Sequence, residues 1–139
     1  MTSGAARIID VNLNRLTEGL KVVEDVVRFA LERKDILRSV RALRAKVGAE
    51  TRVLRRRAVL SRQSEKDPGR GDRFDRTRRR SIEDVLLANF KRAEEAARVL
   101  EEVLKIDEPK ASARFKAVRF RLYDLEAKTE KTRNQKPET

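Results

Sequence analysis

Apolar residues recur every three or four positions through most of this chain, and a chain so patterned folds as helices packed along those seams. In the first stretch Ile9, Leu13, Leu16, Leu20, Val23, Val27 and Ala30 step by four and three. Alternating β-branched or aromatic runs, the mark of strands, are missing. Five glycines and three prolines are all that interrupt 139 residues rich in Ala, Leu, Glu, Lys and Arg, which favour helix. The pattern predicts an all-α fold with helix 1 over about residues 6–32. Helix 2 starts at an Asp35 N-cap and turns Ile36, Leu37, Val40, Leu43, Val47, Val53 and Leu54 inward. It bends at Gly48 and ends near Leu60.

Residues 61–80 break the pattern. They hold Pro68, Gly69 and Gly71 and one large apolar residue, Phe74, which makes a loop well beyond the usual span of about 2–8 residues between packed helices. From Arg55 to Arg80 there are eleven Lys and Arg against four Asp and Glu. More than half of the chain's net charge of +12 therefore sits there. Ser81-Ile-Glu-Asp84 reads as a capping box opening helix 3, whose seam is Leu86, Phe90, Ala93, Ala97, Leu100 and Leu104. Asp107-Glu108-Pro109 opens helix 4, with Phe115, Val118, Leu122 and Leu125 facing in. The expected organisation is one helical domain over 1–128 and a flexible polar tail over 129–139.

The chain repeats itself at an offset of 77 residues. Asn12, Arg15, Glu18, Lys21 and Glu24 fall on Asn89, Arg92, Glu95, Arg98 and Glu101. The seams keep the same offset, with Leu13, Leu16 and Leu20 on Phe90, Ala93 and Ala97, and Gly19 falls on Ala96. Asn is a poor interior helix residue, because its side chain competes for the backbone, yet it stands at the same place in both halves. The repeat predicts two helical hairpins related by a pseudo-twofold axis and packed as a four-helix bundle. Its polar residues then face each other or flank a shared cleft.

The residue inventory narrows the chemistry. Without Cys there are no disulfides or thiolate metal sites, and without His there is no imidazole base or ligand. Carboxylates, Lys, Arg, Asn and water remain, and magnesium is the metal that suits them. There is no G-x-x-x-x-G-K-[ST] and no G-x-G-x-x-G. An apolar run long enough for a membrane span or a secretory core is also missing, so the expected compartment is the cytoplasm. An Arg held by a Glu three residues on is a fork ready for phosphate. Arg15 with Glu18 and Arg92 with Glu95 give two such forks, with Lys21 and Arg98 a turn beyond. Asp67-Pro68-Gly69 puts a carboxylate on a turn. Arg80, closing the run Arg78-Arg79-Arg80, precedes the start of helix 3, where free N–H groups favour anions.

RIIDVNLNRLTEGLKVVEDVVRF, DPG, SIEDVLLANFKRAEEAARVLEEVLK and FKAVRFRLYDLE occur in that order from Arg7 to Glu126. Together they resemble the small all-helical hydroxymethylpyrimidine-phosphate kinases of thiamine biosynthesis, which occur alone or fused to thiamine-phosphate synthase. The resemblance implies phosphorylation of 4-amino-5-hydroxymethyl-2-methylpyrimidine phosphate to the diphosphate, with ATP and Mg²⁺. It also implies a functional link to thiamine-phosphate synthase. Lys21 departs from the family pattern, which has Arg there, and Gln63 departs where Arg-Asp is expected.

On this basis Arg15, Arg92, Glu18, Glu95 and Asp67 are the candidate catalytic residues. Lys21, Arg98, Arg119 and Arg80 are candidates for phosphate binding, and Asn12 and Asn89 for the aminopyrimidine or the metal. Glu18, Glu95 and Asp67 are candidates for holding Mg²⁺. Homo-oligomers are compatible with the sequence. The alternative is a basic helical nucleic-acid-binding module, which a pI near 10.7 favours. The 4% aromatic content leaves that module without a stacking platform.

Overall fold

A computed structural model describes residues 1–59, 67–69 and 78–134. It is an all-α bundle of four helices: α1 (Ser3–Asp25), α2 (Lys34–Val59), α3 (Ile82–Leu104) and α4 (Pro109–Asn134). The Thr2 hydroxyl accepts the Ala5 N–H to cap α1. Helical winding continues past Asp25 as a π-helical segment over Val26–Leu31. Glu32, at φ 52°, stops it. That is a left-handed conformation more usual for Gly, and no sequence signal marked it. Ser81 caps α3 as expected, its hydroxyl accepting the Asp84 N–H, while the Asp84 carboxylate accepts the Arg80 N–H. The two ends of this box are thus both satisfied.

The expected seams form the core. Leu13, Leu16, Leu20 and Val23 of α1 meet Leu86, Phe90, Ala93, Ala97 and Leu100 of α3. Ile36, Val40, Leu43 and Val47 of α2 and Phe115, Val118, Leu122 and Leu125 of α4 close the core. α4 runs through Thr129 to Asn134, past the boundary expected at residue 128. Thr129 is buried, and its hydroxyl donates to the Leu125 carbonyl oxygen at 2.6 Å. A run without large apolar residues thus continues a helix by satisfying its polar atoms on its own backbone.

Two contacts show how the repeated helices sit. The Met1 amino group lies 3.6 Å from Asp107, just beyond the end of α3. Gly19, near the other end of α1, abuts Asn89 and Ala93 near the start of α3. α1 and α3 are therefore antiparallel. α2 and α4 are antiparallel as well, with Arg114 paired to Glu50 and Lys128 lying 3.9 Å from Asp35. Both relations are what a twofold axis perpendicular to the helices produces. They also place the end of α2 and the start of α3 at opposite ends of the bundle. Those two helix ends are thus roughly 35 Å apart for helices of this size.

Candidate functional site

A cleft of about 530 Å³ runs along the N-terminal half of α1, within the size range of small-molecule sites. Arg7, Ile8, Asp10, Val11, Asn12, Asn14 and Arg15 line it, and Asp67 and Pro68 lie across it. Ile8 and Val11 are 44% and 37% exposed, which suits them as apolar walls. Asp10 is buried at 1% exposure. The Asp67 carboxylate accepts the Gly69 N–H at 2.9 Å, closing the turn that the sequence signalled. Arg15 is exposed, and among the described residues it makes no ion pair.

The fold thus brings together three of the expected site residues, Asn12, Arg15 and Asp67. The other expected residues do not line this cleft. Register explains why: Gly19 meets Asn89 and Ala93, so Asn12 and Asn89 lie towards opposite ends of the seam. With about 1.5 Å rise per residue, they are separated by on the order of 13 Å along the axis. The two copies of the motif therefore do not face each other. Each buried asparagine is satisfied within its own helix, Asn12 donating to Ile8 O at 2.9 Å and Asn89 to Val85 O at 2.8 Å.

Neither expected fork forms. Arg15 and Glu18 make no ion pair with each other, and neither do Arg92 and Glu95; all four are exposed. Lys21 turns instead to Asp25 at 3.0 Å and Glu24 at 3.4 Å. Arg98 lies beside Glu101 and Glu102. Arg119 is committed to packing. Its side chain is 11% exposed, it pairs with Glu101 at 2.9 Å, and its guanidinium lies over the Phe120 and Tyr123 rings. The Arg80 backbone N–H donates to the Asp84 carboxylate, and Arg80 does not line the cleft. Gln63 lies outside the described residues.

In the sequence Glu24 and Glu101 stand with Glu18 and Glu95 as candidates to orient the cations or hold Mg²⁺ through water. Glu24 and Glu101 are instead buried clamps between helices. Glu24 holds Arg44 of α2 at 2.6 Å and Arg41 at 3.4 Å. Glu101 holds Arg119 of α4. Burial pushes the Glu101 carboxyl up, but Arg119, with Arg98 and Lys105 beyond it, outweighs that and holds it below the ordinary range. Their matching offset was the signal that pointed to this role. Arg7 was missed as a site residue, because it belongs to one copy only, and Asp10 matched the family pattern without a role assigned to it.

For magnesium, no group of three or more carboxylates converges among the described residues. The donor set fits an ion that arrives on phosphate oxygens, keeps waters and takes one or two protein carboxylates. Asp67 is the residue of this cleft placed to supply one. Glu18 and Glu95 do not line the cleft.

The class that the fold and the cleft define is an all-helical bundle built on a repeated helix, with a mixed charged and apolar cleft along one copy of it. The family model that matches, over residues 7–128, is that of the ThiD2 family, and the chain belongs to it. The chain is 42% identical over 122 residues to a thiamine-phosphate synthase of Parasynechococcus marenigrum, covering 87% of this chain and 34% of that protein. It is 40% identical over 122 residues to a thiamine-phosphate synthase of Gloeobacter violaceus, covering 87% and 35%. With one of Prochlorococcus marinus the identity is 38% over 122 residues, covering 87% and 34%. The chain spans about a third of the length of these relatives. No solved structure matches it. No helix among the described residues is long and apolar enough to cross a membrane.

Proposed function

We propose that this chain is an ATP-dependent kinase that converts 4-amino-5-hydroxymethyl-2-methylpyrimidine phosphate to its diphosphate in thiamine biosynthesis. The observation that carries this reading is the α1 cleft, where two arginines, a buried carboxylate and two exposed aliphatic side chains surround one space. Ile8 and Val11 offer apolar contact to a ring. Arg7 and Arg15 offer charge-assisted hydrogen bonds to phosphate. Membership of a thiamine-biosynthesis family supports the substrate class.

The chemistry suits a chain without His or Cys. An oxygen of the acceptor phosphate attacks the terminal phosphorus of ATP. A new P–O–P bond forms, the bond from that phosphorus to the β–γ bridging oxygen breaks, and ADP leaves. A phosphate monoester loses its second proton at about pH 6, so the nucleophile is ionised at neutral pH and needs no base. What remains is positioning and charge neutralisation. Magnesium, held by phosphate oxygens and Asp67, would supply part of that neutralisation.

The test is product formation from ATP, Mg²⁺ and the phosphorylated pyrimidine, with the free alcohol in parallel. Equal amounts of ADP and diphosphate from the phosphorylated substrate alone are expected. Arg15→Ala is expected to lower kcat/KM by roughly 10- to 100-fold, the worth of one or two hydrogen bonds to a charged group. Arg92→Ala, outside the cleft, is expected to have a lesser effect. Absence of product from both substrates overturns the reading. Steeply salt-dependent binding of unrelated oligonucleotides would then put the basic nucleic-acid module in its place.

A further inference from the structure

The repeat makes the molecule its own control. α1 and α3 have the same seam, the same asparagine and the same glutamate clamp, and the cleft described above lies beside α1. At the 77-residue offset Arg7 falls on Asp84, Asp10 on Leu87 and Asn14 on Lys91. The sister position of Asp10 holds Leu87, which is only half-buried, so the repeat by itself does not call for a buried carboxylate there. Burying one is costly unless it is hydrogen-bonded. Asp10 is nonetheless 1% exposed, and it belongs to the cleft wall. Arg7 and Asn14 stand three before and four after it, on the same side of α1.

We propose that Asp10 is the specificity-determining residue of this cleft: its carboxylate accepts N–H groups of the ligand's heterocycle and selects an amino-substituted ring over the oxo analogue. This rests on the reading that the ligand is a phosphorylated aminopyrimidine. A carboxylate has room for about four hydrogen bonds, so Asp10 accepts from a ligand while keeping its contacts within the protein. Ile8 and Val11 supply the apolar surface beside it. An oxo group in place of the amino group sets acceptor against acceptor, and specificity built on a buried polar group is steep.

The experiment is calorimetric titration of the full chain with the aminopyrimidine phosphate and with its 4-oxo analogue. Mg·ATP is titrated separately. The wild-type chain is expected to prefer the amino compound at least 10-fold. Asp10→Asn, whose amide both donates and accepts, is expected to bring that preference within about threefold. Asp10→Leu installs the sister helix's residue. It is expected to melt like the wild type and lose the same preference, so a folding defect in the Asn variant leaves the test intact. A wild-type chain without preference, or variants that keep it, overturns the role of Asp10 and leaves the kinase reading standing if diphosphate still forms. Failure of both ring compounds to bind, with Mg·ATP present or absent, overturns both.

Discussion

At the scale of single residues, the buried carboxylates divide by whether a cation faces them squarely. Glu24 and Glu101 have arginines from the next helix at 2.6 and 2.9 Å. Glu94, buried between α3 and α4, shares Lys91 with Glu126, and its Oε2 has no hydrogen-bond partner. Burial pushes its carboxyl up to about 7; the hydrogen bond and charge of Glu126 add to this, and Lys91 pulls it back. The folded-state value thus lies above the ordinary glutamate value of 4.5. Between those two values the folded chain holds a proton that the unfolded chain has lost, so stability from this group falls as pH rises through that window. Glu94→Gln keeps the shape without the charge. It is expected to stabilise the protein at pH 8 by on the order of 1–3 kcal/mol and to leave pH 4 stability nearly unchanged. Urea melts of both proteins at pH 4, 6 and 8 check this, and equal differences at all three values would refute it. None of this was visible in the sequence. Glu94 falls on Thr17 in the other copy, so the repeat carried no hint, and its burial depends on where α4 lies.

At the scale of elements, the seams, the Ser81 cap and the two-hairpin plan were readable because each is a local pattern tied to a period. The π-helical end of the first hairpin was not, since a bulged helix and an ordinary one share the same apolar spacing there. The site was half readable. Residue types pointed to a phosphate cleft, but which copy forms it depends on the antiparallel register of α1 and α3. That register turns on small residues at the contact. A Cβ on Gly19 would lie 3.1 Å from the Asn89 carbonyl oxygen and 3.4 Å from the Ala93 nitrogen, both backbone. Gly48, on the exposed side of α2, has nothing within 4 Å. Ala is favoured over Gly in a helix interior by about 0.5–1 kcal/mol. Gly48→Ala should therefore stabilise the protein by roughly that amount. Gly19→Val meets the opposite balance: it must push α3 away, and about 1–3 kcal/mol of destabilisation is expected, as for overpacked cores. Thermal melts of the two variants should move in opposite directions, and a stabilised Gly19→Val would mean that the seam is looser than this contact implies.

At the scale of the whole molecule, a net charge of +12 has two separable effects. Like charges repel throughout the bundle, and salt relieves that repulsion without regard to place. The α1 cleft instead offers cationic donors at one location, with Arg15, unpaired among the described residues, and Arg7 two turns before it on the same wall. A polyanion held there stabilises the folded chain by mass action, about 2.7 kcal/mol at 100 times its dissociation constant. Sodium chloride and tripolyphosphate should therefore both raise Tm, but for different reasons. The chloride effect should be shallow, extending over hundreds of millimolar as the Debye length falls from about 10 Å at 0.1 M towards 3 Å at 1 M. The tripolyphosphate effect should saturate at low concentration and weaken as chloride is added, because the contacts are charge-assisted. Arg15→Ala separates the two, since it changes one charge in a strongly basic molecule but removes a cleft donor. It should leave the chloride slope almost unchanged and shift the tripolyphosphate midpoint upward by roughly tenfold or more. If Arg15→Ala and wild type respond to tripolyphosphate alike, anion binding is spread over the basic surface, and the cleft holds no phosphate of its own.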